Sequence, residues 1–393
     1  MTLLTNARIV LPDGVRADGW LRLDGHRIAE VGAEGSAPEP SNTGPHGASA
    51  GLTRSIDLAG RYLLPGFVDM HVHGGGGAAF SSGDVEQAVR AAAFHRAHGT
   101  TTTIASTVST ELDDLQRYLS DLAGLVEDGL LAGLHMEGPF ISKSRCGAHD
   151  PALLRVPDPA VLRPLLAAGR GTVKMVTLAP ELDFGIEATA LLANTGVIAA
   201  VGHTDGGYGI ANEAFSHGAR VATHLFNAMP GVHHREPGPV VAAIEDENVI
   251  VELVNDGIHV HPAVIGMVFN AVGPHRVALI TDAMAAAGQT DGMYRLGALD
   301  VEVSDGVARL AGAGSIAGST LTMDAALRRA ERELGLPIEA AAVSAALTPA
   351  RALGLDHEIG SIEAGKFADL VVLDDDLQVR GVMKRGEWAL DPK

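Results

Sequence analysis

The chain has 393 residues, of which 46% are hydrophobic and 20% charged, and its formal net charge is −19 at pH 7. This length allows one large domain with a smaller one beside it, and the apolar content suffices for a packed core. So acidic a balance disfavours binding to nucleic acids or anionic membranes, because both require a positively charged surface.

Further classes of protein are excluded by what the sequence lacks. Cys146 is the only cysteine, so an intrachain disulfide scaffold cannot form. No run reaches the ~18 apolar residues of a membrane span. The start, MTLLTNARIV, lacks the basic region and long apolar core of a signal peptide. We therefore expect a cytoplasmic protein.

The first 62 residues predict short strands. The apolar pieces LLTNARIVL, GWLRLDG and HRIAEVG are separated by Asp13-Gly14 and Asp24-Gly25, which favour turns. Residues 33–55 are rich in Gly, Pro, Ala and Ser and have no hydrophobic period, which is typical of a loop.

From residue 63 to about 355, strand-like and helix-like segments alternate. Helices are predicted over 84–99, with Asp84 as N-cap and Gly99 as stop signal, and over 208–219. The strand candidates are residues 63–73, 101–108, 130–138, 173–181, 197–204, 220–228, 249–257 and 276–284. Apolar strands that alternate with helices predict a parallel sheet buried on both faces. Eight such units favour a TIM (β/α)8 barrel over an open doubly wound sheet, because the polar strand ends need one common mouth.

Both ends of the chain have a strand pattern. Residues 296–320 interrupt the last barrel unit with two predicted strands around Asp305-Gly306 and a glycine-rich loop. Neither terminal β segment can bury much apolar surface alone. We therefore expect residues 1–60 and 358–393 to pair into a small β-sandwich domain beside a barrel domain of residues 61–357.

Polar residues that could bind a metal follow the predicted strands. His71 and His73 are two apart on the first strand and project from the same face. Imidazole and carboxylate groups are ligands of zinc and iron and also tolerate manganese. The further strand-end candidates are Glu137, His203, His224, Asp256 and Asp282. Any one of them could be a hydrogen-bonded strand-end residue, but burying the whole set without a cation would be costly.

Several longer motifs resemble the amidohydrolase superfamily over essentially the whole chain, and within it the deacetylases of phosphorylated N-acetyl amino sugars. They are PGFVDMHVHG, GLHMEGPFIS, VGHTDG, ATHLFNAMPGVHHREPG, VNDGIHVHP, ITDAM and GSIEAGKFADLVVLD. The resemblance implies metal-dependent hydrolysis of N-acetylglucosamine 6-phosphate to glucosamine 6-phosphate and acetate, in amino-sugar catabolism and cell-wall recycling.

The resemblance also implies roles for single residues. Glu137, His203 and His224 match the main metal ligands, Asp282 the catalytic acid/base and His149 an oxyanion-stabilising group. The positions matching substrate contacts are Ala148, His149, Asn227, Ala228, Arg235, His259, Ile316, Ala317 and Gly318. One divalent ion is expected, Zn²⁺ first and Fe²⁺ or Mn²⁺ as alternatives, and a second could bind through His71 and His73. A homodimer is implied in which Arg235 binds the phosphate in the neighbouring subunit's site.

Three alternatives stay open at this point. The chain could be an amidohydrolase of cyclic amides, a deacetylase of a related amino-sugar phosphate, or a barrel reused without catalysis. Lys174 would suit the carboxylated lysine of some cyclic-amide enzymes, but it stands at the start of its strand, at the opposite end of the barrel. Cys146 follows Glu137 in a loop, and no activating neighbour is evident from the sequence.

Overall fold

The computed structural model describes residues 1–33 and 54–392, so most of the predicted loop 33–55 lies outside the described residues. Two main sheets are present: a parallel sheet of eight strands, and a second sheet of eight strands built from both ends of the chain. The fold is therefore mixed α/β, as the alternating pattern predicts.

Eight parallel strands form the barrel and follow one another in chain order. They are Phe67–Val72, Thr100–Thr107, Gly133–Glu137, Val173–Leu178, Ile198–Val201, Val221–Ala222, Ile250–Val254 and Val277–Ile280. Each predicted segment overlaps one of these strands, and the expectation of a TIM barrel is confirmed. Most observed strands end earlier than predicted, because the polar residues after them leave the ladder and turn into the mouth of the barrel.

The barrel closes between its eighth and first strands with the help of Asp69. The Thr281 hydroxyl and N–H donate to the Asp69 carboxylate at 2.5 and 3.3 Å. Further along the seam, the Asp282 N–H donates to the His71 carbonyl at 2.9 Å. Complete burial raises the pKa of the Asp69 carboxyl to about 7, although the bonds from Thr281 favour its ionised form. The seam thus places the ends of the first and eighth strands side by side.

Helices cover the outside of the barrel. Those between the strands are Val85–Ala97, Leu112–Glu127, Pro159–Ala168, Gly185–Asn194, Tyr208–Ser216, Gly238–Glu245 and Pro262–Val272. After the eighth strand come Met323–Arg332, Ile338–Ala342 and Thr348–Ala352, with a π-helical turn at Val343–Leu347; 3₁₀ turns lie at Phe80–Ser82 and Lys143–Arg145. No helix of residues 1–33 and 54–392 is long and apolar enough to span a membrane.

The first helix begins where the sequence predicts. The Asp84 carboxylate accepts the N–H groups of Glu86 and Gln87 at 2.9 and 3.3 Å, which satisfies two otherwise unbonded donors of the first turn. The face against the barrel consists of Ala88, Ala91, Ala92 and His95, whereas Val85 and Val89 are 40% and 41% exposed. The helix therefore packs through small residues rather than through its valines.

The second large sheet joins the two chain ends. Its strands are Thr2–Leu11, Gly14–Asp24, Arg27–Gly32, Arg54–Asp57, Tyr62–Pro65, Leu370–Leu373, Val379–Lys384 and Glu387–Leu390. Tyr62–Pro65 pairs with Leu370–Leu373 antiparallel, which links the N-terminal strands to the C-terminal ones. Bonds of 2.9 and 2.8 Å between Ile28 and residues 366 and 365 roll the sheet into a small sandwich around its own core.

The predicted strand 63–73 is wrong as a single element. Tyr62–Pro65 belongs to the terminal sheet and Phe67–Val72 to the barrel, with Gly66 between them. A Cβ at Gly66 would lie 2.2 Å from the Thr101 Oγ1, so only glycine allows the chain to pass so close to the second barrel strand. The domain boundaries at residues 60 and 358 stay a prediction, and Tyr62–Pro65 lies just past the first of them.

A small antiparallel sheet is inserted after the eighth barrel strand. It consists of Gly292–Leu296, Leu299–Ser304 and Val307–Leu310; the strands around Asp305-Gly306 were predicted and the first was not. Its apolar side packs on Val108, Met284 and Ala317 at the mouth of the barrel. A two-residue hairpin, Gly74–Gly75 with Ala78–Ala79, lies beside the same mouth. Leu296 of the small sheet and residues 315, 316 and 318 of the loop after it line the cavity described below.

His95 anchors that two-residue hairpin to the first helix. Its Nε2–H donates to the Gly74 carbonyl at 2.8 Å, and its buried Nδ1 has no partner among the described residues. Burial lowers the pKa of His95 to about 4. The ring is therefore neutral in the folded protein over the whole neutral range.

This depressed pKa predicts a pH dependence of stability. Between pH 6.5 and 4 the unfolded chain binds a proton at residue 95 that the folded chain does not, so the contribution is complete above 6.5 and is lost on acidification. On acidification from pH 7 to pH 5, we expect the free energy of unfolding of the wild type to fall by about 2 kcal/mol more than that of His95→Gln. Urea unfolding at several pH values measures this. The exposed control His217→Gln should follow the wild type; equal slopes for all three proteins would contradict the assignment.

Candidate active site

Five of the seven predicted strand-end residues line one cavity at the C-terminal mouth of the barrel, whereas His71 and Asp256 lie behind it: the five are His73, Glu137, His203, His224 and Asp282. Its volume is about 350 Å³. The six residues that share this end and are at most 7% exposed are His71, His73, Glu137, His203, His224 and Asp282. The common mouth that the polar strand ends require is therefore present.

Sharp turns direct three of these side chains inward. His203, His224 and Asp282 follow the fifth, sixth and eighth strands with φ of 46°, 26° and 50°. Residues other than glycine rarely adopt this left-handed conformation, and it costs of order 1–3 kcal/mol per residue. Strain of this kind is held by the surrounding structure and is typical of functional sites.

One group of potential ligands surrounds Glu137. The Nε2 atoms of His203 and His224 lie 3.1 and 3.0 Å from the Glu137 Oε1 and 3.0 Å from each other. Ligand atoms that share a zinc ion at ~2.0–2.1 Å stand about this far apart. The three residues fit the tripod predicted for the main ion.

A second group lies next to the first. The Nε2 atoms of His71 and His73 are 3.2 Å apart, and the Asp282 Oδ1 lies 3.6 and 3.2 Å from them. Glu137 also touches this group, with its Oε1 3.3 Å from His71 and its Oε2 3.0 Å from His73. Among the described residues, these are the two groups of three or more potential ligands. Glu137 lies between them, where it could bridge two ions.

The protonation of the histidines suits a cation. His203 Nδ1 lies 2.8 Å from the Arg145 carbonyl, which can only accept, so Nδ1 carries a proton and Nε2 is the nitrogen that faces Glu137. The Nδ1 atoms of His73 and His224 are buried without a partner among the described residues. Imidazole lone pairs in close contact with one another and with a carboxylate repel unless a proton or a metal lies between them. The donor set therefore fits a divalent ion.

Both acidic ligands are ionised. Burial acts to raise the pKa of Glu137, but the charge of His71 and hydrogen bonds from His149, His203 and His224 hold it well below its usual value. Burial also acts to raise the pKa of Asp282. The hydrogen bond from His73 and the charges of both nearby histidines outweigh it and lower that pKa. Asp282 is thus an unprotonated carboxylate at neutral pH, as a general base must be.

His149 presents a donor to the same cavity. The Ser109 N–H donates to its Nδ1 at 3.3 Å, so the ring proton is on Nε2, 3.5 Å from the Glu137 Oε2. Burial lowers the pKa of His149, although its hydrogen bond to Glu137 acts in the opposite sense. The neutral ring therefore points an N–H into the site.

His259 is held by a carboxylate, whereas its neighbour His261 serves a helix. The Asp256 Oδ2 lies 2.6 Å from the His259 Nδ1, which leaves Nε2 for the cavity. Burial acts to lower the pKa of His259, and the bond and charge of Asp256 raise it. His261 instead accepts the Ala263 N–H and caps the helix Pro262–Val272. The structure thus gives these two neighbouring histidines different roles.

Most of the predicted substrate positions line the cavity. Besides the groups already described, these are Ala148, Asn227, Ala228, Ile316 and Gly318. Ala317 is buried under the loop and packs in the core of the inserted sheet. Gly318 has φ of 64°, and a Cβ there would lie 3.0 Å from the Asp282 carbonyl, so glycine is required.

Arg235 is exposed and does not line the cavity of its own chain. The sequence argument missed five lining residues: Ser144, Arg145, Gly147, Leu296 and Ser315. The first three lie on the loop between Glu137 and His149. Because both of those residues were assigned to the site, the loop between them could have been predicted to line it. Lys174 and Cys146, for which the sequence indicates no role, lie outside the cavity. Lys174 is the second residue of its strand, at the opposite end of the barrel, and Cys146 does not line the cavity.

A TIM barrel whose mouth gathers buried imidazoles and carboxylates around one glutamate defines the class of metal-dependent hydrolases. A family model described as "Amidohydrolase family" matches residues 62–389. The chain belongs to this family, and the protein is a hydrolase that acts on an amide.

Particular relatives are similar over nearly full length. N-acetylgalactosamine-6-phosphate deacetylase of Escherichia coli O157:H7 is 35% identical over 99% of this chain and 100% of its own. N-acetylglucosamine-6-phosphate deacetylase of Bacillus subtilis (strain 168) is 34% identical over 100% and 98%. A mutant N-acetyl-D-glucosamine-6-phosphate deacetylase of Mycobacterium smegmatis, solved in complex with N-acetyl-D-glucosamine-6-phosphate, is 47% identical, with a TM-score of 0.92 and 99% of each chain covered.

The position of Glu137 predicts the effect of its loss on metal binding. Glu137→Gln keeps the shape of the side chain but removes the negative charge between the two groups of ligands. We therefore expect the affinity for a divalent metal to fall by at least about tenfold. Elemental analysis after dialysis against a weak chelator measures this. Glu213→Gln, at an exposed glutamate, is the matched control. Wild-type metal content in Glu137→Gln would show that this carboxylate is not a ligand.

Proposed function

We propose that this protein hydrolyses N-acetylglucosamine 6-phosphate to glucosamine 6-phosphate and acetate. The observation that carries the proposal is the Glu137-centred cluster, which faces the same cavity as the Asp282 carboxylate and the His149 N–H. The 47% identity to an enzyme solved with this substrate supports the choice of sugar. Amino-sugar catabolism in the cytoplasm is the setting that we propose for this reaction.

The residues that would hold the ion are Glu137, His203 and His224, with Zn²⁺ the first choice because imidazole and carboxylate ligands suit it, and Fe²⁺ or Mn²⁺ as alternatives. A bound divalent ion lowers the pKa of water and polarises a carbonyl, which makes attack on an unreactive amide feasible. His71, His73 and Asp282 form the second group, which could hold a further ion.

Asp282 acts as the general base and then as the general acid. Its ionised carboxylate takes a proton from the attacking water as oxygen bonds to the acetyl carbon. It then delivers that proton to the sugar nitrogen as the carbon–nitrogen bond breaks, so that amine and acetate leave. The contacts of the Asp282 Oδ1 with His71 and His73, in the wall of the same cavity as Glu137, support this role.

His149 and His259 bind the substrate at two points. The His149 Nε2–H stabilises the negative charge that develops on the acetyl oxygen. His259, oriented by Asp256, makes a hydrogen bond to the sugar. Ala148, Asn227, Ala228 and the loop 316–318 shape the remaining wall.

Phosphate recognition falls to Arg235 acting across a homodimer. Arg145 lines the cavity, but its Nε is 2.7 Å from Asp205, which neutralises it. Arg235 is exposed, and its guanidinium contacts His234 at 2.8 Å and no carboxylate among the described residues. A free guanidinium suits a phosphate because it binds two oxygens at once. Since Arg235 does not line its own cavity, it would reach that of a second subunit.

N-acetylgalactosamine 6-phosphate is the second candidate substrate. The Escherichia coli relative named for that sugar aligns with 99% of this chain. A cyclic-amide substrate is disfavoured because Lys174 lies at the start of its strand, away from the mouth of the barrel. A non-catalytic barrel is disfavoured because the potential metal ligands and Asp282 are all present. An acetate-release assay with both phosphorylated sugars, unphosphorylated N-acetylglucosamine and a hydantoin separates these functions. Absence of acetate release from every N-acetyl sugar would overturn the proposal.

Asp282→Asn should remove turnover while the main ion stays bound. The amide keeps the shape of the carboxylate but cannot accept a proton, and we expect kcat to fall by about 10²–10⁴-fold. Acetate release and metal content of the same preparation measure both effects. Asp256→Asn, which affects only the orientation of His259, should raise KM more than it lowers kcat. Turnover near the wild-type rate in Asp282→Asn would refute the role.

Arg235→Ala should weaken binding of the phosphorylated sugar by about 10–100-fold and leave the slow turnover of unphosphorylated N-acetylglucosamine unchanged, because the lost contact is to the phosphate alone. Mixing the Arg235→Ala and Asp282→Asn proteins tests the location. If Arg235 acts across the dimer, the mixed dimer has one complete site and recovers activity that neither parent shows. No recovery after verified subunit exchange would place Arg235 at its own site or at none.

A further inference from the structure

Glu252 is a buried carboxylate that the proposed mechanism does not use. It lies in the seventh barrel strand, Ile250–Val254, and is fully buried. Its Oε2 lies 3.1 Å from the His71 Nδ1 and accepts the His224 N–H at 3.2 Å. Its Oε1 has no hydrogen-bond partner in the described part of the chain. Such a half-satisfied carboxylate is costly in a barrel interior unless positive charge lies nearby.

The contact with His71 decides which nitrogen of that ring is available. A carboxylate can only accept this bond, so the His71 Nδ1 carries the proton and Nε2 is the nitrogen left to face the second ligand group. That nitrogen lies 3.2 Å from the His73 Nε2 and 3.6 Å from the Asp282 Oδ1. His73, in contrast, has no partner for its Nδ1 among the described residues. Glu252 is thus the group that fixes the orientation of the His71 ring.

The charge of the cluster points the same way. Three buried carboxylates, those of Glu137, Glu252 and Asp282, lie within 3.6 Å of the His71 ring nitrogens. One divalent ion leaves these three carboxylates with an excess negative charge, which only a further proton on His71 or His73 could otherwise balance. A second divalent ion beside His71 would offset this negative charge and would interact with Glu252 across the His71 ring.

We propose that Glu252 is the positioning residue that enables this chain to hold a second divalent ion between His71, His73 and Asp282. It acts through His71, by fixing the ring and by contributing a negative charge behind it, as carboxylates behind metal-binding histidines do. The inference rests on the proposed function, since it assumes the metal centre, and it adds the residue that determines how many ions are bound.

Two substitutions separate the hydrogen bond from the charge. Glu252→Gln keeps an acceptor for the His71 Nδ1–H and removes the charge, whereas Glu252→Leu removes both. We expect two Zn²⁺ per wild-type chain, a 10–100-fold weaker second ion in Glu252→Gln, and one ion per chain in Glu252→Leu. Elemental analysis and calorimetric titration of metal-stripped protein measure these values. Glu252→Gln is nearly isosteric and serves the test if Glu252→Leu does not fold.

Testing Glu252→Leu in the His71→Asn variant as well distinguishes the proposed role of Glu252 from a purely structural one. In His71→Asn the second ion is already lost, so adding Glu252→Leu should change neither metal content nor the affinity of the remaining ion. If Glu252 only supported the His224 backbone, Glu252→Leu would weaken the ion at Glu137, His203 and His224 in both backgrounds. That result would overturn the proposal.

The remaining outcomes are equally decisive. Two ions bound with wild-type affinity in both Glu252→Leu and Glu252→Gln would overturn the proposal. One ion per wild-type chain together with acetate release would also overturn it and would leave the proposed function standing. A wild-type protein with neither bound metal nor acetate release would instead overturn the proposed function itself.

Discussion

The burial of the Glu137 carboxylate among imidazoles is the constraint on which the rest of the site depends. Its two oxygens lie within 3.5 Å of nitrogens from five histidines, His71, His73, His149, His203 and His224. A carboxylate and several lone pairs cannot share so small a buried volume without positive charge between them. A parallel barrel meets this constraint because the C-terminal ends of its strands meet at one mouth, so residues far apart in sequence become neighbours.

The rigidity of the site comes from a polar network beneath it. The Val72 N–H donates to the Ser106 hydroxyl, which is then left to donate to the His135 Nδ1 at 2.9 Å. His135 therefore carries its proton on Nε2 and donates it to the Thr177 hydroxyl at 2.8 Å. The His135 ring stands edge-on to that of His71, with centroids 4.6 Å apart. A satisfied network of this kind fixes the ligand rings before any ion arrives, which reduces the entropy lost on binding.

The net charge of the chain is negative, so a phosphorylated substrate depends on local positive charge for its binding. A net charge of −19 disfavours any phosphorylated substrate at long range, so recognition has to be local. Within the cavity Arg145 is already paired with Asp205, whereas Arg235 carries its charge on an exposed segment of the same chain. Under the proposed function, this arrangement accounts for a cavity that holds the residues proposed for amide hydrolysis but whose one lining arginine, Arg145, is already paired.

The sequence by itself determined the barrel and its eight strands and predicted the ligand residues, because period, strand length and the polar ends of apolar runs are local properties. It misjudged the segment 63–73, since only the packing of Gly66 against Thr101 shows that the chain changes sheets there. The tertiary structure alone decided that His259 faces the cavity while His261 caps a helix. It also brought Glu252, which the sequence marks as one polar residue inside a strand, against the back of His71. Distance and proton position are properties of the folded chain, and no spacing along the sequence contains them.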